Sequence, residues 1–204
     1  QLPEGFKEFC AKVSIETSSV QYENDSLMRK VRGCDDYGIA CCVSYQAIGK
    51  AIQFFGARAN LAKALLLAIN EGRCENTGTL MVEGIKPLSS DVLDFDEIME
   101  NYKKVLHEVA RVYNETMNII HFMHDKYDYE KSQMAFIDTD PKINLAYGVA
   151  GLSIVADSLS AIKHAKVTAR RNADGLTEGF DTEGSFPLFG NDDARVDVLG
   201  GDIV

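Results

Sequence analysis

The sequence has no C-x-x-C pair, although it contains five cysteines. They are Cys10, Cys34, Cys41, Cys42 and Cys74. An odd number of cysteines without paired spacing argues against the disulfide framework of a secreted protein and against a standard zinc site. We therefore expect a protein of a reducing compartment and predict that it is cytoplasmic.

Basic clusters and long apolar runs are also missing. No run of Lys or Arg is longer than Arg170–Arg171, and 21 basic against 31 acidic residues give a net charge of −10. Nucleic acid and an anionic membrane are therefore not expected as partners. The longest weakly polar stretch, residues 145–156, is too short to cross a bilayer. The sequence also lacks the glycine pattern of a nucleotide-binding loop.

The N-terminal residues have neither the basic start nor the apolar run of a signal peptide, and the sequence does not begin with Met. We expect an internal piece of a longer protein. With 46% hydrophobic and 25% charged residues, the composition is that of a globular chain. Nothing marks an internal boundary, so residues 1–204 are predicted to belong to one domain.

Helical patterns dominate the rest of the chain. Apolar residues recur at helical spacing from Leu93 to about Tyr127, with Asp94 or Asp96 as the candidate N-cap. The Ala- and Leu-rich run after Arg58 predicts a helix that ends near Gly72. Further helices are predicted at 130–136, at 153–165 and from 192 onward, with a short strand at 80–82.

The residues that could carry chemistry lie between 35 and 60. A short apolar run at 37–41 predicts a buried strand that ends at two adjacent thiols, Cys41 and Cys42. Arg58 is predicted to lie in the first turn of the following helix, where its planar guanidinium and free backbone N–H groups could hold a carboxylate. The pattern indicates a thiol pair beside an anion site.

This pattern leaves the role of the thiols open. A thiol can be a nucleophile, a metal ligand, a disulfide partner or a thiyl radical, and adjacent cysteines are most often small buried residues. The i, i+3 pair His121 and His124 suggests a metal, but a di-iron carboxylate motif would need Glu where Asn118 stands. We predict no metal and interpret both histidines as packing or hydrogen-bonding residues.

Several longer segments resemble the pyruvate formate-lyase family of glycyl radical enzymes, in the same order along nearly the whole chain. They are IACCVS at 39–44, QFFGARANLAK at 53–63, NIIH at 118–121, MHDKY at 123–127, AGLS at 150–153 and ADSLSAIK at 156–163. The resemblance implies an α/β fold, namely a helix-rich segment of a ten-stranded α/β barrel with the cysteine-bearing strand inside. It also implies that 1–204 is an internal part of one catalytic domain.

The resemblance implies roles for four residues. Cys41 would attack the ketone carbon of pyruvate and carry the acetyl group, and Cys42 would exchange a hydrogen atom with the radical source. Arg58 would clamp the pyruvate carboxylate, and Phe55 would form an apolar wall beside the substrate. The implied partners are pyruvate, coenzyme A as co-substrate, a radical-SAM activating enzyme and a second copy in a homodimer.

The family stores its radical on a glycine within an Arg-Val-Ser-Gly-Tyr-Ala segment, and this sequence contains no Gly-Tyr dipeptide. No cofactor is therefore expected to be bound within the chain, and the 204 residues alone are expected to be inactive. Two alternatives remain open: a 2-ketobutyrate formate-lyase or other glycyl radical enzyme, and a non-enzymatic helical fragment with structural cysteines.

Overall fold

The computed structural model describes residues 2–40, 44–53, 56–127 and 141–203. The chain divides into two compact units. One takes in the described residues of Gln1–Ile52 and Phe136–Ile143, and the other those of Gln53–Ala135 and Asn144–Val204. The prediction of a single catalytic domain stays a prediction.

The smaller unit combines two helices with short strands. Its elements are α1 (Glu4–Thr17), α2 (Asp25–Arg32), β1 (Tyr37–Ala40), β2 (Ser44–Ala47), β3 (Ala51–Ile52) and β5 (Lys142–Ile143). Helix α2 begins where the Asn24 side chain accepts a hydrogen bond from the Leu27 amide and ends at Gly33 in the left-handed conformation. Strands β1 and β2 pair in antiparallel fashion, whereas β3 and β5 are parallel.

The larger unit contains the hydrophobic core. Its elements are β4 (Gly56–Asn60), α3 (Leu61–Ile69), α4 (Phe95–Lys126), β6 (Ala146–Ala150), α5 (Leu152–His164), β7 (Lys166–Arg171), β8 (Thr177–Glu183) and α6 (Ala194–Ile203). Strands β4 and β6 are parallel and each leads directly into a helix, α3 and α5. This strand–helix arrangement is typical of α/β proteins, so the predicted fold class is confirmed at that level.

Helix α3 lies at the centre of this core. It packs against α4 and α5, and it buries six of its nine residues: Leu61, Ala64, Leu65, Leu67, Ala68 and Ile69. The predicted stop is confirmed, because the helix ends at Ile69 and Gly72 follows with φ of +79°. A Cβ atom at Gly72 would lie 1.9 Å from the Val82 carbonyl oxygen, so only glycine fits this turn.

Two fully buried asparagines connect this core to the surrounding loops and strands. Asn70 accepts a hydrogen bond from the Thr177 amide at 2.9 Å and donates one to the Leu66 carbonyl oxygen at 3.0 Å. Asn101, on α4, accepts from the Lys86 amide at 3.2 Å and donates to the Lys86 carbonyl oxygen at 2.9 Å. Both buried side chains therefore have hydrogen-bond partners in the surrounding backbone.

The other element predictions have mixed outcomes. The long helix is confirmed at Phe95–Lys126, with Asp94 as its N-cap, and the helices near 153–165 and after 192 are confirmed as α5 and α6. The predicted strand at 80–82 is wrong, since that region forms only an isolated bridge between Arg73 and Leu80. The helix predicted at 130–136 lies outside the described residues. No helix in the described part of the chain is long and apolar enough to cross a membrane.

The Asn70 side chain gives the first testable prediction. Asn70→Ala removes the acceptor of the Thr177 amide, which should destabilise the unit by ~1–3 kcal/mol because a buried donor loses its partner. Native-state proteolysis of the full-length protein should therefore cleave faster at β8. Asn118→Ala, at an exposed position of α4, is the control, and equal cleavage rates in the two variants would contradict this role.

Candidate active site

Three of the four predicted site residues, Cys41, Cys42 and Phe55, lie outside the described residues. The structure describes the strand pair next to the cysteines. Ala40 pairs with Ser44 at the end of the β1–β2 ladder, directly before and after residues 41–43. The predicted strand is confirmed at Tyr37–Ala40, but Tyr37, Gly38 and Ile39 are half-buried rather than buried.

Arg58 lies in the middle of β4, so its predicted place in the first turn of a helix is wrong. The helix begins only after Asn60, whose side chain accepts a hydrogen bond from the Lys63 amide at 3.0 Å. Pairing with β6 keeps the backbone extended through residue 60. Arg58 is exposed, and its side chain projects from the same face of β4 as Gly56 and Asn60.

The strand opposite Arg58 has small residues on this face. Arg58 pairs with Gly148, and Ala146 and Ala150 lie on either side of it at alternate positions of β6. A Cβ atom at Gly148 would lie 3.2 Å from Arg58 Cγ and 3.4 Å from the Ala57 carbonyl oxygen. The aliphatic stem of Arg58 therefore passes close over the β6 backbone, in space that a larger residue would occupy.

A tyrosine from α4 connects the two strands beside Arg58. The Tyr113 hydroxyl donates a hydrogen bond to the Ala57 carbonyl oxygen and accepts one from the Gly148 amide at 3.1 Å. The Tyr113 ring contacts the Tyr147 ring edge-on, with centroids 5.0 Å apart, and the Tyr147 hydroxyl donates to Asn114 Oδ1 at 2.8 Å. Helix α4 thus holds the residue before Arg58 and the residue opposite it.

The other face of this strand pair borders an apolar cleft of about 410 Å³. Residues that line it include Leu106, Val109, Tyr147 and Val149. The described lining includes no charged side chain, so this cleft offers packing surface rather than reactive groups.

The predicted histidines lie next to each other on α4. The rings of His121 and His124 are 6.2 Å apart between centroids, at an interplanar angle of 62°. Within the described ranges, no cluster of three or more His, Cys, Asp or Glu side chains could hold a metal ion.

Sequence reasoning missed Tyr113 and Gly148. In the sequence, Tyr113 is one more amphipathic position of a long helix, and Gly148 belongs to a segment that matches no nucleotide-binding pattern. Their connection to Arg58 depends on strand pairing between distant parts of the chain, for which a single sequence has no local signal.

The parallel β4–β6 pair, its two following helices and the arginine on its small-residue face define a fragment of an α/β protein with an anion-binding candidate. The family model described as "Pyruvate formate lyase-like" matches residues 1–204, and the chain belongs to this family. It is similar to "Formate acetyltransferase 1" of Escherichia coli (strain K12), with 54% identity over 204 residues. That match covers 100% of this chain and 27% of the relative, so the chain spans about a quarter of the relative's length.

The tyrosine bridge gives the second testable prediction. Tyr113→Phe keeps the ring and removes the hydroxyl, so the Ala57 carbonyl and the Gly148 amide lose their shared partner, at a cost of ~1–3 kcal/mol. Hydrogen exchange of peptides that contain Gly148 should accelerate in the full-length protein. Tyr127→Phe, at an exposed position at the end of α4, is the matched control. Unchanged exchange at Gly148 would show that the hydroxyl does not hold the strands.

Proposed function

We propose that the full-length protein is a formate C-acetyltransferase, which converts pyruvate and coenzyme A to acetyl-coenzyme A and formate. The observation that carries this proposal is the 54% identity to a formate acetyltransferase over every residue of the chain. The exposed arginine on a face of small residues supports it, because a guanidinium can hold a carboxylate through two parallel hydrogen bonds.

The proposed reaction begins at Cys41. As a thiyl radical, its sulfur adds to the C2 carbonyl carbon of pyruvate, and the C1–C2 bond then breaks homolytically. The acetyl group stays on Cys41 as a thioester, while C1 leaves as the formate radical anion. This radical anion becomes formate when it takes a hydrogen atom from the Cys42 thiol or from another donor, which then carries the radical. Thioester exchange with coenzyme A releases acetyl-coenzyme A and restores the Cys41 thiol.

The second cysteine transfers hydrogen atoms. In this proposal Cys42 exchanges a hydrogen atom with a glycyl radical in another part of the full-length protein, and a radical-SAM activating enzyme generates that radical. The radical provides the one-electron chemistry that makes the C–C bond of pyruvate cleavable without a carbanion. The residues of this chain provide the thiols, the carboxylate site and the apolar side chains around the substrate.

Arg58 holds the pyruvate carboxylate in this proposal. The small side chains around it leave room for a three-carbon acid, and Gly148 allows the arginine stem to lie close to the sheet. Phe55 forms an apolar wall beside the substrate, which helps to exclude water and other reactants from the radical. A guanidinium that holds the carboxylate would also orient the substrate for the reaction.

The remaining expectations concern the full-length protein. Strands β4 and β6, with the helices that follow them, would form part of a ten-stranded α/β barrel with the cysteines inside. The chain would belong to a single catalytic domain. Two copies of the full-length protein would form a homodimer in the cytoplasm. The family assignment supports these features. The 204 residues by themselves would lack the radical glycine and would not catalyse.

The cysteine roles give the third testable prediction. Cys41→Ser and Cys42→Ser in the activated full-length protein should each lower formate production at least about a thousandfold, because a hydroxyl gives neither the sulfur radical nor the thioester. Formate and acetyl-coenzyme A are measured under anaerobic conditions. Cys10→Ser, on α1, is the control and should keep the parental rate. Activity in either active-site variant would contradict the thiyl mechanism.

The arginine gives the fourth prediction. Arg58→Lys keeps the positive charge but loses the planar pair of donors, which should raise the KM for pyruvate about 10- to 100-fold, from ~1.5–3 kcal/mol of charged hydrogen bonding. The KM for coenzyme A should change little. Arg111→Lys serves as the matched control, because Arg111 forms ion pairs with Glu108 and Glu115 on the exposed face of α4. An unchanged pyruvate KM in Arg58→Lys would exclude the clamp role.

A further inference from the structure

An amine and a thiol from different parts of the chain lie in contact at the start of α3. Lys63, in the first turn of the helix, places its Nζ atom 3.2 Å from the Sγ atom of Cys74. The same ammonium forms an ion pair with the Glu75 carboxylate. The side chains of Lys63 and Glu75 are 32% and 18% exposed, and Cys74 is half-buried, so small solutes can approach the cluster.

Hydrogen bonds of backbone groups anchor the two segments that carry these side chains. The Lys63 amide donates to the Asn60 side chain at 3.0 Å, which fixes the first turn of α3. The Cys74 amide donates to the Thr79 carbonyl oxygen at 2.9 Å, and the Gly78 amide donates to the Cys74 carbonyl oxygen at 2.8 Å. The two side chains therefore extend from anchored backbone segments, and the Lys63 ammonium is further held by its ion pair with Glu75.

The surroundings of the sulfur favour its anionic form. The Thr77 hydroxyl, the Asn76 amide and the Lys63 ammonium stabilise the thiolate and lower the pKa of Cys74 to about 7. A large share of Cys74 is thus thiolate at neutral pH, and the thiolate is the form that peroxides oxidise. The sequence alone does not indicate that the pKa of Cys74 is lowered, because Lys63 and Cys74 lie in separate segments of the chain.

We propose that Cys74 and Lys63 form a reversible covalent sulfur–nitrogen crosslink when a peroxide oxidises the thiol. This inference does not rest on the proposed function. The geometry points to it because the nucleophile that would capture an oxidised sulfur is already in contact with that sulfur.

The chemistry proceeds in two balanced steps with hydrogen peroxide as the oxidant. In the first step the Cys74 sulfur attacks one peroxide oxygen, the O–O bond breaks, and the other oxygen leaves as water, which gives a sulfenic acid. In the second step the Lys63 nitrogen attacks the sulfur, the S–O bond breaks, and the hydroxyl leaves as a second water. The sum is one thiol, one amine and one peroxide converted to one S–N bond and two waters.

The ion pair with Glu75 provides a route for the proton. Partial burial lowers the pKa of Lys63, but the hydrogen bonds to Glu75 and Cys74 outweigh it and raise that pKa overall. Oxidation to the sulfenic acid removes the thiolate charge, so one of these two stabilising partners is lost. The ammonium proton can then pass to the Glu75 carboxylate that it already contacts, which frees the nitrogen lone pair for attack.

The test treats the full-length protein anaerobically with graded hydrogen peroxide, followed by non-reducing digestion and mass spectrometry. We expect a joined pair of peptides that contain Lys63 and Cys74, about 2 Da lighter than their sum, which a thiol reductant converts back to the free peptides. Its rate of formation should rise as pH increases through about 7, where the thiolate forms.

Two variants and one internal reference make the result specific. Lys63→Arg keeps the positive charge next to the sulfur but has no nucleophilic amine, so Cys74 should still oxidise while the crosslink disappears. Cys74→Ser should abolish both events. Cys34, whose thiol donates to the Asp36 carbonyl oxygen at 3.4 Å, serves as the reference for general thiol oxidation. Oxidised Cys74 with unmodified Lys63 in the parent protein, at every peroxide concentration, would overturn the proposal.

Discussion

The larger unit depends on the burial of α3. This nine-residue helix is apolar on most of its surface, so it must be covered from several directions at once. Helix α4 covers one side and α5 another, and the chain segments next to it are fixed by hydrogen bonds to Asn70 and Asn101. Because β4 runs directly into α3, the position of the helix also sets the position of the strand that carries Arg58.

The β4–β6 strand pair carries Arg58, the candidate site residue that the structure describes. The Tyr113 hydroxyl bonds to Ala57, the residue before Arg58, and to Gly148, the residue opposite it. The aliphatic stem of Arg58 passes close to Gly148. The proposed role of Arg58 as a carboxylate clamp needs a guanidinium in a defined orientation, and functional side chains on strands are positioned more precisely than those on loops. Lys63, which contacts Cys74 and Glu75, lies in the first turn of α3, directly after the strand that carries Arg58.

Local patterns predicted the parts of the fold that local interactions determine. Helix α4 followed from its apolar periodicity and from Asp94, whose carboxylate accepts hydrogen bonds from the Asp96 and Glu97 amides. Local patterns could not predict that Arg58 lies on a strand, since the residues just before a helix N-cap can be either extended or helical. Pairing with β6, on the far side of α4 in the sequence, decides between them. The contacts of Tyr113, Gly148 and Cys74 likewise depend on segments that only the folded chain brings together.

We propose that this chain carries the active-site cysteines and the carboxylate clamp of a formate C-acetyltransferase. The most direct test is to activate the full-length protein anaerobically, supply pyruvate labelled with carbon-13 at C1 together with coenzyme A, and follow the label by nuclear magnetic resonance. The account predicts labelled formate and unlabelled acetyl-coenzyme A in equal amounts. A glycyl radical visible by electron paramagnetic resonance, without labelled formate, would contradict it.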